Sequence, residues 1–154
     1  MESSEAGSED RDFEPLTGGC ICGGVKWQID APLFGAAFCW CRRCQHRTGT
    51  AFSTTGLTQM GSFTVTAGAE LVSTYEPGDG GWNKSFCSNC GSQTHTTSSE
   101  NPDLIAVRVG SFDDDPGVRP GVHQFVNYAP SWYPVPDDGL PRFPERLDWS
   151  QIDN

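Results

Sequence analysis

Apolar residues recur along this chain in short alternating runs, the period of strands with one face buried. Val25, Trp27 and Ile29 share one face of a segment that ends at Asp30-Ala31-Pro32. Further strands are predicted over 36–40, 51–57, 63–67 and 71–75, followed by a turn at Pro77-Gly78-Asp79-Gly80-Gly81. The alternation resumes over 82–86, 93–97, 104–109 and 123–128. No window sustains helical apolar spacing, so helix is limited to one short turn after Cys41. Residues 129–154 contain five prolines and read as a strap over the sheets, anchored by Trp132, Leu140, Phe143 and Trp149. The predicted class is mainly β with a C-terminal Pro-rich strap, and no fixed-period repeat divides the chain.

Composition narrows this picture. A length of 154 residues suits one domain, able to bury roughly two-thirds of the surface its unfolded chain exposes. Only 36% of residues are apolar, while 18 are Gly and 11 Pro; so thin a core calls for covalent or metal staples. The net charge is −10, and residues 1–14 hold six acids against one Arg. That segment has too little apolar surface to offset its ordering entropy and is expected to be a disordered acidic tail. The expected domain is 15–149, with 150–154 as a short C-terminal tail. Acidity excludes the counterion release that drives nucleic-acid binding. With neither a basic-then-apolar leader nor a run of about 20 apolar residues, the expected location is cytoplasmic and off the membrane.

The seven cysteines fall in three groups: Cys20-x-Cys22, Cys39-x-Cys41-x-x-Cys44 and Cys87-x-x-Cys90. An odd number cannot close entirely into internal disulfides, and clustered reduced thiolates point to metal. Seven ligands divide into a closed four-sulfur site and an open three-sulfur site that leaves a position for substrate. Spacing alone leaves the division open. Cys41 and Cys44 with Cys87 and Cys90 make a zinc ribbon; Cys20 and Cys22 with Cys87 and Cys90 leave the compact triplet intact. Two closed sites, with His46 as eighth ligand, form a third arrangement.

These motifs resemble a known family. Gly18-Gly19-Cys20-Ile21-Cys22-Gly23, Cys39-Trp40-Cys41-Arg42-Arg43-Cys44, Gly49 and Phe86-Cys87-Ser88-Asn89-Cys90-Gly91-Ser92 are similar to those of the glutathione-dependent formaldehyde-activating enzymes and their centromere-protein-V relatives. Gly110-Ser111-Phe112-Asp113-Asp114, Pro120, His123, Trp132 and Leu140-Pro141-x-Phe143 extend the likeness over about 16–143. The resemblance implies a β-tent of several small coiled sheets organised by zinc, shared with a small zinc-binding exchange factor of Rab GTPases. It implies two zincs per chain: a structural one on Cys20, Cys22, Cys87 and Cys90, and a catalytic one on Cys39, Cys41 and Cys44. The implied activity is carbon–sulfur lyase chemistry, joining glutathione and formaldehyde as S-(hydroxymethyl)glutathione. Three positions depart from the family pattern: Gln45 and Lys84 stand where Arg is usual, and Asp115 is an added residue before Pro116.

The chemistry fits such a reading. Zinc on three thiolates is a weak Lewis acid but binds a further thiol well, as the thiolate that attacks an aldehyde carbon. Arg42, Arg43 and Arg47 beside the triplet are candidates for recognising the carboxylates of an anionic thiol, or for offsetting thiolate charge. His46 reads as exposed, His123 as a hydrogen-bonder beneath the strap, and His95 as chemically idle. Trp40, between two ligands, is a candidate wall of the site. The expected partners are a small thiol such as glutathione and an aldehyde or thiol conjugate. The alternative is a non-catalytic zinc module that binds a thiol ligand or a protein; a thiol redox switch is a third idea.

Overall fold

A computed structural model describes residues 13–147. Most of the acidic segment 1–14, together with Trp149 and 150–154, lies outside the described residues. Among the described residues the nine short runs read from the sequence, with one further strand, make ten strands in two sheets. Strands β1 (Leu16–Gly19), β2 (Lys26–Ile29) and β5 (Phe63–Ala67) form an antiparallel three-stranded sheet in the order β1-β2-β5. The larger sheet takes β3 (Gly35–Cys39), β4 (Ser53–Gln59), β6 (Val72–Tyr75) and β7 (Asn83–Cys87). Strands β8 (Gln93–Thr97), β9 (Leu104–Arg108) and β10 (Pro120–Gln124) complete it, in the order β10-β3-β4-β9-β8-β7-β6. All its pairings are antiparallel except β10 with β3.

The alternation on β2 does what its pattern predicts. Trp27 and Ile29 are buried on one face and join Leu33 and Val107 in a core cluster, with Leu16, Phe63, Phe112 and Val118 packed around it. Phe112 meets the Trp27 ring edge-on, with centroids 4.9 Å apart. Strands β5 and β8 have the predicted bounds. β1 is a strand the pattern did not announce, because its sequence offers one apolar residue and two glycines. Its reason is packing: a Cβ on Gly18 would lie closer than 3.0 Å to the Trp27 ring and to the Ser111 carbonyl.

Two elements differ from expectation. The segment after Cys41 is a seven-residue helix, α1 (Arg42–Thr48), rather than a single turn. Cys41 caps it by accepting from the Cys44 N–H, and Gly49 ends it in the left-handed conformation with φ 69°. The last strand runs over Pro120–Gln124 instead of 123–128, because Phe125 turns to φ 58° and breaks the extended backbone.

The Pro-rich strap returns along the end of β10. His123 N–H donates to Pro141 O at 2.9 Å and Phe143 N–H to His123 O at 2.8 Å. Its anchors are Phe143 and Leu147, which pack on Ala37 and Val122. Trp132 is no anchor, being 67% exposed. Proline spacing explains the difference: the ring-constrained stretch around Trp132 has few free N–H groups to pair, whereas 141–147 lies against β10.

Candidate active site

The strand register decides how the thiols group. Cys20 and Cys22 occupy the turn between β1 and β2, where Gly23 at φ 75° and a Val25 N–H donated to Cys20 Sγ at 3.2 Å set the bend. Cys87 ends β7, and Cys90 follows in a turn closed by Gly91 at φ 78°. All four sulfurs lie within 4.8 Å of one another. Hydrogen bonding by Ser92 beside it holds the Cys90 thiol down at about 5. The Cys39, Cys41 and Cys44 sulfurs form a second group at the same spacing. The compact triplet therefore stays intact, and the ribbon pairing of Cys41 and Cys44 with Cys87 and Cys90 is not the one observed.

The triplet sits where β3 runs into α1. Cys39 is buried as the last residue of β3, opposite Ser53 on β4; Cys41 is the helix cap and Cys44 lies in the first turn. Three thiols this close cannot all ionise unaided. Hydrogen bonding from Cys39 and Cys41 pushes the Cys44 thiol far down, while Cys41, Cys44 and burial push Cys39 far up. A cation between the sulfurs would relieve that conflict. Both clusters can hold a metal ion, and donor sets made only of thiolates suit zinc.

The triplet opens into a cleft of about 500 Å³. Its lining includes Arg42, Arg43, Lys84, Arg108 and Arg146 and, among the described residues, no carboxylate, although the chain has a net charge of −10. Ala37, Leu57, Leu104, Ala106 and Leu147 supply apolar wall. Arg43 is exposed and paired with Asp79 outside the lining. Lys84, half-buried, donates to Trp82 O at 2.6 Å, and burial together with the nearby Arg47 charge lowers its ammonium. Arg108, also half-buried, donates from Nη1 to Thr55 Oγ1 at 2.5 Å and from Nε to Gln93 Oε1 at 2.6 Å. Neither makes a salt bridge among the described residues.

The family model of the glutathione-dependent formaldehyde-activating enzymes matches residues 15–128. The chain belongs to this family. A crystal structure of a Rhodobacter sphaeroides protein is similar in fold, with a TM-score of 0.56 and 24% sequence identity over 82% of this chain and 98% of that one.

The remaining candidates of this family member are distributed unevenly. Arg42 and Arg43 line the cleft; Arg47 does not, and its Nη2 donates to Ser85 O at 2.9 Å. Burial and the Arg108 charge hold the Arg47 guanidinium down at about 10. His46 is exposed on α1, outside both thiol clusters. His123 is buried, accepting from Trp40 Nε1 at Nδ1 (3.0 Å) and lying 2.8 Å from Asp138 Oδ2 through Nε2. The indole donor fixes the imidazole proton on Nε2, where it is given to Asp138. Trp40 is thus buried beneath Phe52 and the more exposed Tyr133 and walls no part of the cleft. His95 packs on Phe63, and burial pushes it down to about 4. Of the departures from the family pattern, Gln45 is buried and donates to Trp40 O and Tyr128 O, tying α1 to the chain beyond β10. Lys84 faces the cleft.

Sequence reasoning missed Arg108, Arg146, Ser53 and Thr55 as cleft residues. Ser53 and Thr55 alternate onto one face of β4, opposite Cys39 and Arg108 respectively. Ser53 Oγ is buried beside Cys44 and is among the groups that lower its thiol. Only the pairing of β3, β4 and β9 brings these groups together, and no local motif announces it.

No described helix is long and apolar enough to cross a membrane.

Proposed function

We propose that the protein is a zinc-dependent carbon–sulfur lyase that joins a low-molecular-weight anionic thiol such as glutathione to an aldehyde, or splits the adduct. One observation carries the reading: three converging thiols open into a cleft whose charged lining side chains, among the described residues, are cations, in an acidic chain. Cys20, Cys22, Cys87 and Cys90 would hold a structural zinc, since four sulfurs leave no open position. Cys39, Cys41 and Cys44 would hold the catalytic one. Zinc on three thiolates supplies a fourth position that stabilises a substrate thiol as its thiolate near neutral pH.

In the forward direction the thiol gives up its proton and its sulfur bonds to the carbonyl carbon. The carbonyl π pair moves to oxygen, which takes up a proton. With formaldehyde the product carries an S-hydroxymethyl group. The cations Arg42, Arg43, Lys84 and Arg108 make the cleft electropositive and draw in the substrate's carboxylates, which orients the thiol. Ala37, Leu57 and Ala106 keep the neighbourhood low in dielectric, which strengthens that attraction. Arg47, turned away from the cleft, offsets thiolate charge near Cys44.

The test is zinc stoichiometry together with the exchange rate of formaldehyde and glutathione, followed by NMR, in the native protein and in Cys39→Ser. Two zincs in the native chain, one in the variant, and catalysis confined to the native chain are the expected results. Full catalysis by Cys39→Ser overturns the proposal. Two equally retained zincs with no rate above the spontaneous reaction also overturn it, in favour of a binding module.

A further inference from the structure

Among the cleft cations, Arg108 is a half-buried guanidinium held in place by two neutral side chains, whereas Arg42 and Arg43 are exposed and Lys84 donates to a backbone carbonyl. Thr55 Oγ1 takes one of its N–H groups and Gln93 Oε1 another, whereas Arg43 is neutralised by Asp79 and Arg42 donates to Gln45. Its Nη2 has no hydrogen-bond partner in the described structure. A half-buried guanidinium without a carboxylate lacks its natural partner, and orienting it with neutral acceptors leaves its charge available. Gln93 has a second contact, from its Nε2 to Arg47 O at 3.3 Å, so one amide spans the carbonyl of α1 and the side chain of β9. It stands three positions after Cys90, next to Ser92, whose Oγ accepts from the Ile21 N–H at 3.0 Å. Arg108 also borders a second, more open groove of about 570 Å³ that includes Cys20, Ser92 and Gln93. Its guanidinium therefore stands in the wall between the two cavities.

We propose that Arg108 is the residue that binds the substrate's carboxylate, and that Gln93 is the positioning residue that presents it to the cleft. The inference rests on the reading of the substrate as an anionic thiol and names the group that recognises it. Replacing Gln93 by Glu keeps an acceptor for Arg108 Nε but supplies an internal carboxylate that competes with the substrate. Glu also loses the donor to Arg47 O, so Tm and zinc content report the structural part of the change, while ligand affinity at full zinc content reports the presenting role.

The experiment measures binding of S-methylglutathione, whose sulfur is blocked but whose carboxylates remain, by calorimetry on the zinc-loaded protein. Gln93→Glu, Arg108→Lys and the native chain are compared, with zinc content as the folding check. The native protein is expected to bind, and both variants to bind about tenfold more weakly or worse, as for loss of a charge-assisted bidentate contact. In turnover, Gln93→Glu is expected to raise KM for glutathione and leave kcat within about twofold. Undiminished binding in both variants overturns the inference alone and leaves the proposed reaction standing. Absence of binding by the native chain overturns the glutathione reading and the inference with it. Should Arg108→Lys lose zinc, Gln93→Glu with full zinc content decides: weakened binding supports the inference and unchanged binding overturns it.

Discussion

Replacing Gly18 with Ala should destabilise the protein by an amount set by one packed contact. The added methyl would approach the Trp27 ring carbons Cζ2 and Cη2, and the Ser111 carbonyl, more closely than 3.0 Å. Neither neighbour can retreat. Trp27 is 1% exposed and held by Phe63 at 5.6 Å and Phe112 at 4.9 Å between centroids. The Ser111 segment is tied to β1 by a bridge from Gly18 to Phe112 and by an Asp113 N–H donated to Thr17 O at 2.9 Å. Overpacking usually costs 1–3 kcal/mol, and with both neighbours fixed the value expected here is about 3 kcal/mol. In a domain of this size that lowers Tm by about 6–12 °C. Because β1 leads directly into Cys20, the variant should also give up metal from the four-thiol cluster more readily to a chelator. Thermal unfolding of the zinc-loaded protein reads the first effect and chelator competition the second. The sharper test is a double-mutant cycle with Trp27→Phe, which deletes both ring carbons the methyl meets. The Gly18→Ala penalty should shrink by about 1 kcal/mol or more in that background, with the Ser111 contact keeping it above zero. An unchanged Tm in the single variant, or an equal penalty in both backgrounds, would refute the packing argument.

Two further outcomes are expected. His95 is neutral in the fold down to about 4, against about 6.5 in an unfolded chain. The unfolded state therefore binds a proton first, and stability falls as pH drops from about 6.5 to about 4, by up to about 3 kcal/mol. His95→Gln should flatten that part of the urea-denaturation pH profile, and an identical profile would dismiss His95 as its source. Trp40→Phe removes the N–H donated to buried His123 Nδ1 and should cost about 1–3 kcal/mol by urea denaturation. A variant as stable as the native chain would show that the pair contributes nothing.

How far the sequence reaches depends on whether a feature is local. The three cysteine groups are local and legible as candidate metal-ligand motifs, yet their spacing allowed three arrangements. The choice between them is made by which turns meet, and Cys22 and Cys87 come within 3.9 Å across 65 positions. The strands 63–67 and 93–97 were legible because alternation and flanking turns agreed. β1 was not, since Gly18 is placed by a tryptophan on the neighbouring strand rather than by any propensity of its own. Arg108 illustrates the same limit in the candidate site: it reaches Thr55 across 53 positions through strand register. In the strap, Phe143 packs against the core as its apolar character predicted, whereas Trp132 is exposed and Leu147, whose N–H donates to Gln124 Oε1 on β10, is buried.

The contrast between the two thiol groups bears on the history of each molecule. The triplet is complete once six consecutive residues, 39 to 44, exist as chain. The other cluster needs a loop of 65 positions to close between Cys22 and Cys87, and closure entropy grows with that length. On a ribosome Cys20 and Cys22 emerge earlier, but the triplet is the first set to be complete, while the rest of the protein is still being made. The remaining four sulfurs assemble only after Cys90 has appeared and β7 has found its partners. Metal scarcity during synthesis would therefore leave chains loaded at the triplet and unclosed at the other cluster, a population distinguishable by its metal content from chains stripped after folding.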